Sequence, residues 1–133
     1  MIVADVNLLV YLYVAGQRTK QAEAVLARDP VWVAPLLWRS EFRNTLIGLV
    51  RKKALSMEDA IQLVNEAERS MAGREYSIVS HEVLRLAARS GCSAYDCEYV
   101  ALAEDLGVPL VTADQQLLQA FTGITIAPDV FAA

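Results

Sequence analysis

Four acidic residues stand where the surrounding pattern makes a carboxylate conspicuous. Asp5 ends the apolar run Ile2-Val3-Ala4, and Asp114 follows the apolar run Leu110-Val111-Thr112. Asp96 comes three residues after Ser93 in SAYDCEYVALAEDL, and Glu41 lies beside the apolar Trp38 and Phe42 in a helical stretch. Each has an ordinary role open to it. Asp96 and Asp114 could cap the helices they begin, Asp5 could serve a cap or turn, and Glu41 could be a solvated helical residue. As a set they suggest more. A lone buried carboxylate costs several kcal/mol, and four at one sheet edge would repel one another. A divalent cation resolves that repulsion, and a donor set made only of oxygen selects a hard ion, Mg²⁺ or Mn²⁺. Such an ion lowers the pKa of a bound water and neutralises charge on a phosphodiester in the transition state. That chemistry is hydrolysis without a nucleophilic side chain.

No other residue set competes. His81 is the only histidine and follows Ser80 at a helix start, which suits a surface or capping role. Cys92 and Cys97 are five apart with no further ligand near them, and read as reduced thiols with Cys97 packed. The net charge of −4, from 12 basic and 16 acidic residues, argues weakly against simple electrostatic binding of nucleic acid. Setting four acids aside in one site leaves the two signs balanced.

The elements that must carry these residues alternate along the chain. Ile2–Ala4 reads as a first strand, with Asn7 placed to cap a helix from Leu8 to about Val14. Thr19 to Ala27 reads as a helix, broken at Asp29-Pro30. Val31–Ala34 is a second strand ending at Pro35. Leu37, Trp38, Phe42, Leu46, Leu49 and Val50 recur at helical spacing through Lys53. Ser56 with Asp59 opens a helix to about Ala72, and Tyr76–Val79 is a third strand. A helix from Ser80 to Arg89 stops at Gly91, and one from Ser93 to Leu106 stops at Gly107. Pro109–Thr112 is a fourth strand, Asp114 to Phe121 a short helix, and Ile124–Ile126 a fifth strand. This α/β alternation predicts a parallel sheet with helices on both faces, in one domain over residues 1–133. Ligands of such sheets bind beyond the carboxyl ends of the strands, where Asp5 and Asp114 fall. The longest apolar runs are far short of the roughly 20 residues a bilayer span needs. The N-terminus lacks a basic leader, so a cytoplasmic protein is expected.

In order and spacing, IVADVNLLVYLY, SEFRNTL, AYDCEYVALAEDLGVPLVTAD and QQLL resemble the PIN domain family, and specifically the VapC-type toxins of toxin–antitoxin pairs. The likeness covers nearly the whole chain. It implies five strands in the order 3-2-1-4-5 and an endoribonuclease dependent on Mg²⁺ or Mn²⁺. It also implies a homodimer, an RNA substrate and a cognate VapB-type antitoxin. By the same resemblance, Asp5, Asp96 and Asp114 hold the metal or its waters, and Glu41 orients or deprotonates a metal water. Asn7, Asn44 and Thr112 support that set. Arg39 and Arg43 flank Glu41, and one of them could touch substrate. The chain departs from the family in having Gln115 and Gln116 where members often carry Arg after the last Asp, which removes one phosphate contact. Two other readings remain. A receiver or dehalogenase-like phosphotransfer fold wants a second Asp two residues after the first, where this chain has Asn7, or a Lys after its last strand, where it has Ala127-Pro128. A non-catalytic PIN-fold binding module would keep the acids and act through a protein partner.

Overall fold

The computed structural model describes residues 1–133. Short apolar strands alternate with helices: β1 Ile2–Ala4, α1 Val6–Tyr13, α2 Thr19–Arg28, β2 Trp32–Pro35, α3 Leu37–Arg51, α4 Met57–Ser70, β3 Glu75–Tyr76, α5 Ser80–Ser90, α6 Ala94–Leu106, β4 Leu110–Val111, α7 Gln115–Ala120, β5 Thr125–Ile126 and α8 Pro128–Ala132. Every strand pair is parallel, and the sheet order is β3-β2-β1-β4-β5. The fold and strand order expected from the sequence are therefore those observed.

The central strands are apolar throughout because both faces are covered. Ile2, Val3, Ala4, Val33, Ala34, Leu110 and Val111 are all buried. Helix α6 packs directly against β1, β2 and β4 with α5 against it, while α1 to α4 pack among themselves. Its residues Cys97 and Tyr99 to Ala103 are buried, as expected of a helix enclosed on most sides. Trp38, Phe42 and Leu46 turn one face of α3 into the core at i, i+4, i+8 spacing.

Several boundaries differ from the sequence reading. Asn7 does not cap α1. The amides of Leu8 and Leu9 donate to the carbonyl of Asp5, so the first turn begins at Val6 and Asp5 holds the N-cap position. The third strand is only Glu75–Tyr76, because the edge ladder to β2 ends where Pro35 does. Ser80 lies inside α5 and provides no side-chain cap; Val79 precedes it. A last helix, α8, follows β5 with Pro128 in its first turn, the position proline tolerates best. Gly91 and Gly107 end α5 and α6 in left-handed conformations, φ 75° and 66°, as anticipated. Both cysteines are free and buried, and His81 is exposed beside Glu82. No helix is long and apolar enough to cross a membrane.

Candidate functional site

The register of the sheet brings the first two site residues together. Ala4 pairs with Val111, so Asp5 and Thr112 emerge side by side beyond the carboxyl ends of β1 and β4. The Thr112 hydroxyl donates to Asp5 Oδ2 at 2.6 Å and accepts the Asp114 amide at 3.1 Å. One buried hydroxyl thus ties the ends of two strands and sets the start of the turn into α7. Asp114 Oδ1 in turn accepts the Leu117 amide at 3.0 Å, so this carboxylate does cap its helix.

Asp96 is placed differently. Its helix is capped by Ser93, whose hydroxyl accepts the Asp96 amide at 3.0 Å. The cap therefore uses the backbone amide of residue 96. Glu41 reaches the same region from α3, with Oε1 accepting the Tyr99 hydroxyl at 2.7 Å.

The electrostatics show that these side chains share one field. Burial pushes the Asp5 carboxyl above its ordinary range. Bonds from Thr112 and the Val6 amide offset part of this, and the charges of Asp96 and Asp114 add to it. Burial likewise raises Glu41, with the Tyr99 bond opposing and Asp5, Asp96 and Glu98 reinforcing. Asp96 is raised by burial and then by Asp114, with Ser93 opposing. Asp5, Glu41 and Asp96 resist ionising because each is drawn from water and faces other acids. Nothing basic answers them from within the cluster. Glu98, raised by burial, is a fifth acid at its margin that the sequence reading did not single out. Its position two residues after Asp96 was the available sign.

The donor set suits a hard divalent cation: it is all oxygen and carries an excess of negative charge. As the side chains stand, no three acidic, histidine or cysteine groups converge into a finished cage. Internal bonds explain this. Asp5, Asp114 and Glu41 each commit one oxygen to an internal bond, with Thr112, Leu117 and Tyr99 respectively. Asn7 and Asn44 are exposed on α1 and α3.

Arg39 is engaged in ion pairs within the fold. Its guanidinium binds both oxygens of Glu75 on β3 and one of Glu68 on α4, and Trp38 Nε1 donates to Glu75 at 2.8 Å. Residues two apart lie nearly opposite each other on a helix, so Arg39 and Arg43 face α4 while Glu41 faces α6. Arg43 is mostly exposed and only loosely paired, 3.8 Å from Glu68. Arg39→Met is expected to destabilise the fold by about 1–2 kcal/mol, since it strips a partly buried Glu75 of a bidentate partner. Thermal melting checks this, and RNA affinity measured on the folded variant should stay within about twofold of wild type.

Comparison with known proteins agrees with this architecture. The PIN domain family model matches residues 2–121. The chain is 29% identical to ribonuclease VapC3 of Pyrobaculum aerophilum, over 92% of this chain and 96% of that protein. It is 35% identical to ribonuclease VapC9 of Mycobacterium tuberculosis, over 81% of this chain and 86% of that one. The crystal structure of PAE2754 from Pyrobaculum aerophilum superposes with a TM-score of 0.79 at 22% identity, covering 98% of this chain and 91% of that one, and shows the same fold. With a parallel 3-2-1-4-5 sheet and carboxylates gathered at its carboxyl edge, the chain belongs to the PIN domain family, among its VapC-type members.

Proposed function

We propose that this protein is a divalent-metal-dependent endoribonuclease acting in the cytoplasm as the toxin of a type II toxin–antitoxin pair. The observation that carries the reading is the shared field of Asp5, Glu41, Asp96 and Asp114 at one sheet edge, in a chain whose full-length relatives are named ribonucleases. Asp5, Asp96 and Asp114 would hold Mg²⁺ or Mn²⁺, directly or through water. The bound ion supplies charge neutralisation at the phosphodiester and a more acidic water.

The chain's own groups do the rest. Thr112 fixes the Asp5 carboxylate, and the α7 backbone fixes that of Asp114. Burial first, and then the charges of Asp5, Asp96 and Glu98, raise the proton affinity of Glu41. That direction suits a group that accepts a proton from an attacking water. Lysines are few and exposed, so arginines are the main cations available to hold RNA.

A VapB-type antitoxin is the partner this reading requires. Support for a protein partner comes from an open apolar groove between α3 and α4, lined by Leu46, Ile47, Met57, Ala60, Ile61 and Val64. Met57 and Ile61 are more than half exposed there. The reading also takes the protein as a homodimer, which the mass in solution checks.

The test is cleavage of a mixed RNA pool, tRNA included, by antitoxin-free protein with Mn²⁺, with Mg²⁺ and with EDTA. Cleavage with metal, lost by roughly a hundredfold or more in EDTA, is the expected result. No cleavage by folded protein that binds the metal would replace this reading with that of a docking module. Cleavage that survives EDTA would exclude the metal-dependent mechanism.

A further inference from the structure

We propose that Tyr99 is a positioning residue for the reaction: its buried hydroxyl fixes the Glu41 carboxylate beside Asp5 and Asp96 and thereby sets the turnover rate. The proposal rests on the nuclease reading above and adds a residue to it.

Tyr99 and Glu41 lie 58 residues apart, on α6 and α3, and are joined by a 2.7 Å hydrogen bond. Tyr99 is 2% exposed, so its hydroxyl has no water to turn to. The direction of the bond is fixed. Burial first, and then the charge of Glu41 and its bond, hold the phenol far above its ordinary range. It therefore stays neutral and donates, and the carboxylate can only accept. Tyr99 also falls one turn after Asp96, on the same face of α6. A single helix face thus carries both an acid of the site and the donor that holds another.

Glu41 needs such a tether. It stands on a partly exposed helix surface with three rotatable bonds, and Asp5, Asp96 and Glu98 all push its charge away. Unheld, the carboxylate would swing toward solvent, where hydration is better and the repulsion weaker. The Tyr99 bond occupies Oε1 and keeps the side chain turned inward. Oε2 is then the oxygen left to face the site. Phenylalanine at position 99 would fill the same core volume and supply no tether.

The test compares wild type, Tyr99→Phe, Glu41→Gln and the double variant in RNA cleavage, and follows the ¹³C carboxyl resonance of Glu41 in metal-free protein. Tyr99→Phe is expected to lower kcat by roughly 10- to 100-fold, the range for a misplaced reacting group, with KM within about twofold. In the Glu41→Gln background the same change should cost nothing further, because the group being held is already gone. The Glu41 resonance should move. An unchanged kcat, an equal loss in the Glu41→Gln background, or an unmoved resonance overturns the proposal. A wild type that cleaves no RNA refutes the nuclease reading instead, and the resonance then decides alone whether Tyr99 holds Glu41. Were Tyr99→Phe to unfold, the Tyr99 hydroxyl proton decides: it should be visible by NMR in wild type and lost in Glu41→Ala, and its absence from wild type overturns the tether.

Discussion

Asp96→Asn is expected to cut metal-supported RNA cleavage by roughly a hundred- to a thousandfold, the scale on which a single preformed charge-stabilising group acts, with the fold intact. The separation of the two effects follows from how α6 begins. The Ser93 hydroxyl accepts the backbone amide of residue 96, so the cap survives any side chain there. The Asp96 carboxylate is meanwhile held above its ordinary range by burial and by Asp114. Removing its charge relieves repulsion and leaves melting unchanged or slightly higher. An amide is a poor ligand for a hard cation, so the loss should fall on catalysis. Initial rates with Mn²⁺ and Mg²⁺, together with melting by circular dichroism, check both halves. A variant that cleaves as fast as wild type would remove Asp96 from the site, and one that melts well below it would restore the structural role that the Ser93 cap makes unnecessary.

Some of this was legible in the chain and some was not, for identifiable reasons. The sheet could be read because β1, β2 and β4 are apolar runs with Asp or Pro close after or before them, and the alternation with helices leaves few topologies. The ends of the strands could not, since β3 stops where its neighbour Pro35 stops, not where its own hydropathy falls. Asn7 looked like a cap because asparagine favours that position. Asp5 took it because the strand must end there for its carbonyl to meet the amides of Leu8 and Leu9. That Arg39 turns away from Glu41 was contained in their spacing of two, although its partner Glu75 on a distant strand was not. Nothing in the sequence singled out Tyr99. A hydrogen bond to a residue on another helix leaves no trace in local periodicity, and a buried tyrosine announces only that its hydroxyl must find a partner.

Asp5→Asn is expected to abolish cleavage, by roughly a hundredfold or more, and at the same time to raise the melting temperature of the metal-free protein. The rise should be roughly 3–6 °C at neutral pH, which corresponds to about 1 kcal/mol in a domain of this size. Asparagine keeps an oxygen for the Thr112 hydroxyl and exchanges a buried charge facing Asp96 and Asp114 for an amide that they attract. The pH dependence carries the sign. Asp5 has its pKa raised from 3.8 by burial, so the folded state keeps this proton after the unfolded chain has lost it. Its stabilising contribution is present below the unfolded value and is lost as pH rises through the folded one. Glu41, Asp96 and Glu98 act in the same direction. Asp29, Glu75 and Glu82 oppose them: bonds to the N-terminal ammonium, Arg39 and Arg85 hold their pKa values down. Those contributions are present at higher pH and are lost as pH falls. In EDTA, wild type should therefore lose stability from mildly acidic pH toward neutrality, and Asp5→Asn should lose less, so the gap between them widens with pH. Mn²⁺ should reverse the order, because an ion that binds only the folded wild type stabilises it by mass action. Melting curves between about pH 4 and 8, with and without Mn²⁺, decide the matter. If Asp5→Asn melts below wild type in EDTA at neutral pH, the hydrogen bonds to this carboxylate outweigh its burial and the acids serve the fold, not a cation. If it melts higher in EDTA and lower with Mn²⁺, the site is kept at the expense of stability that only the metal returns.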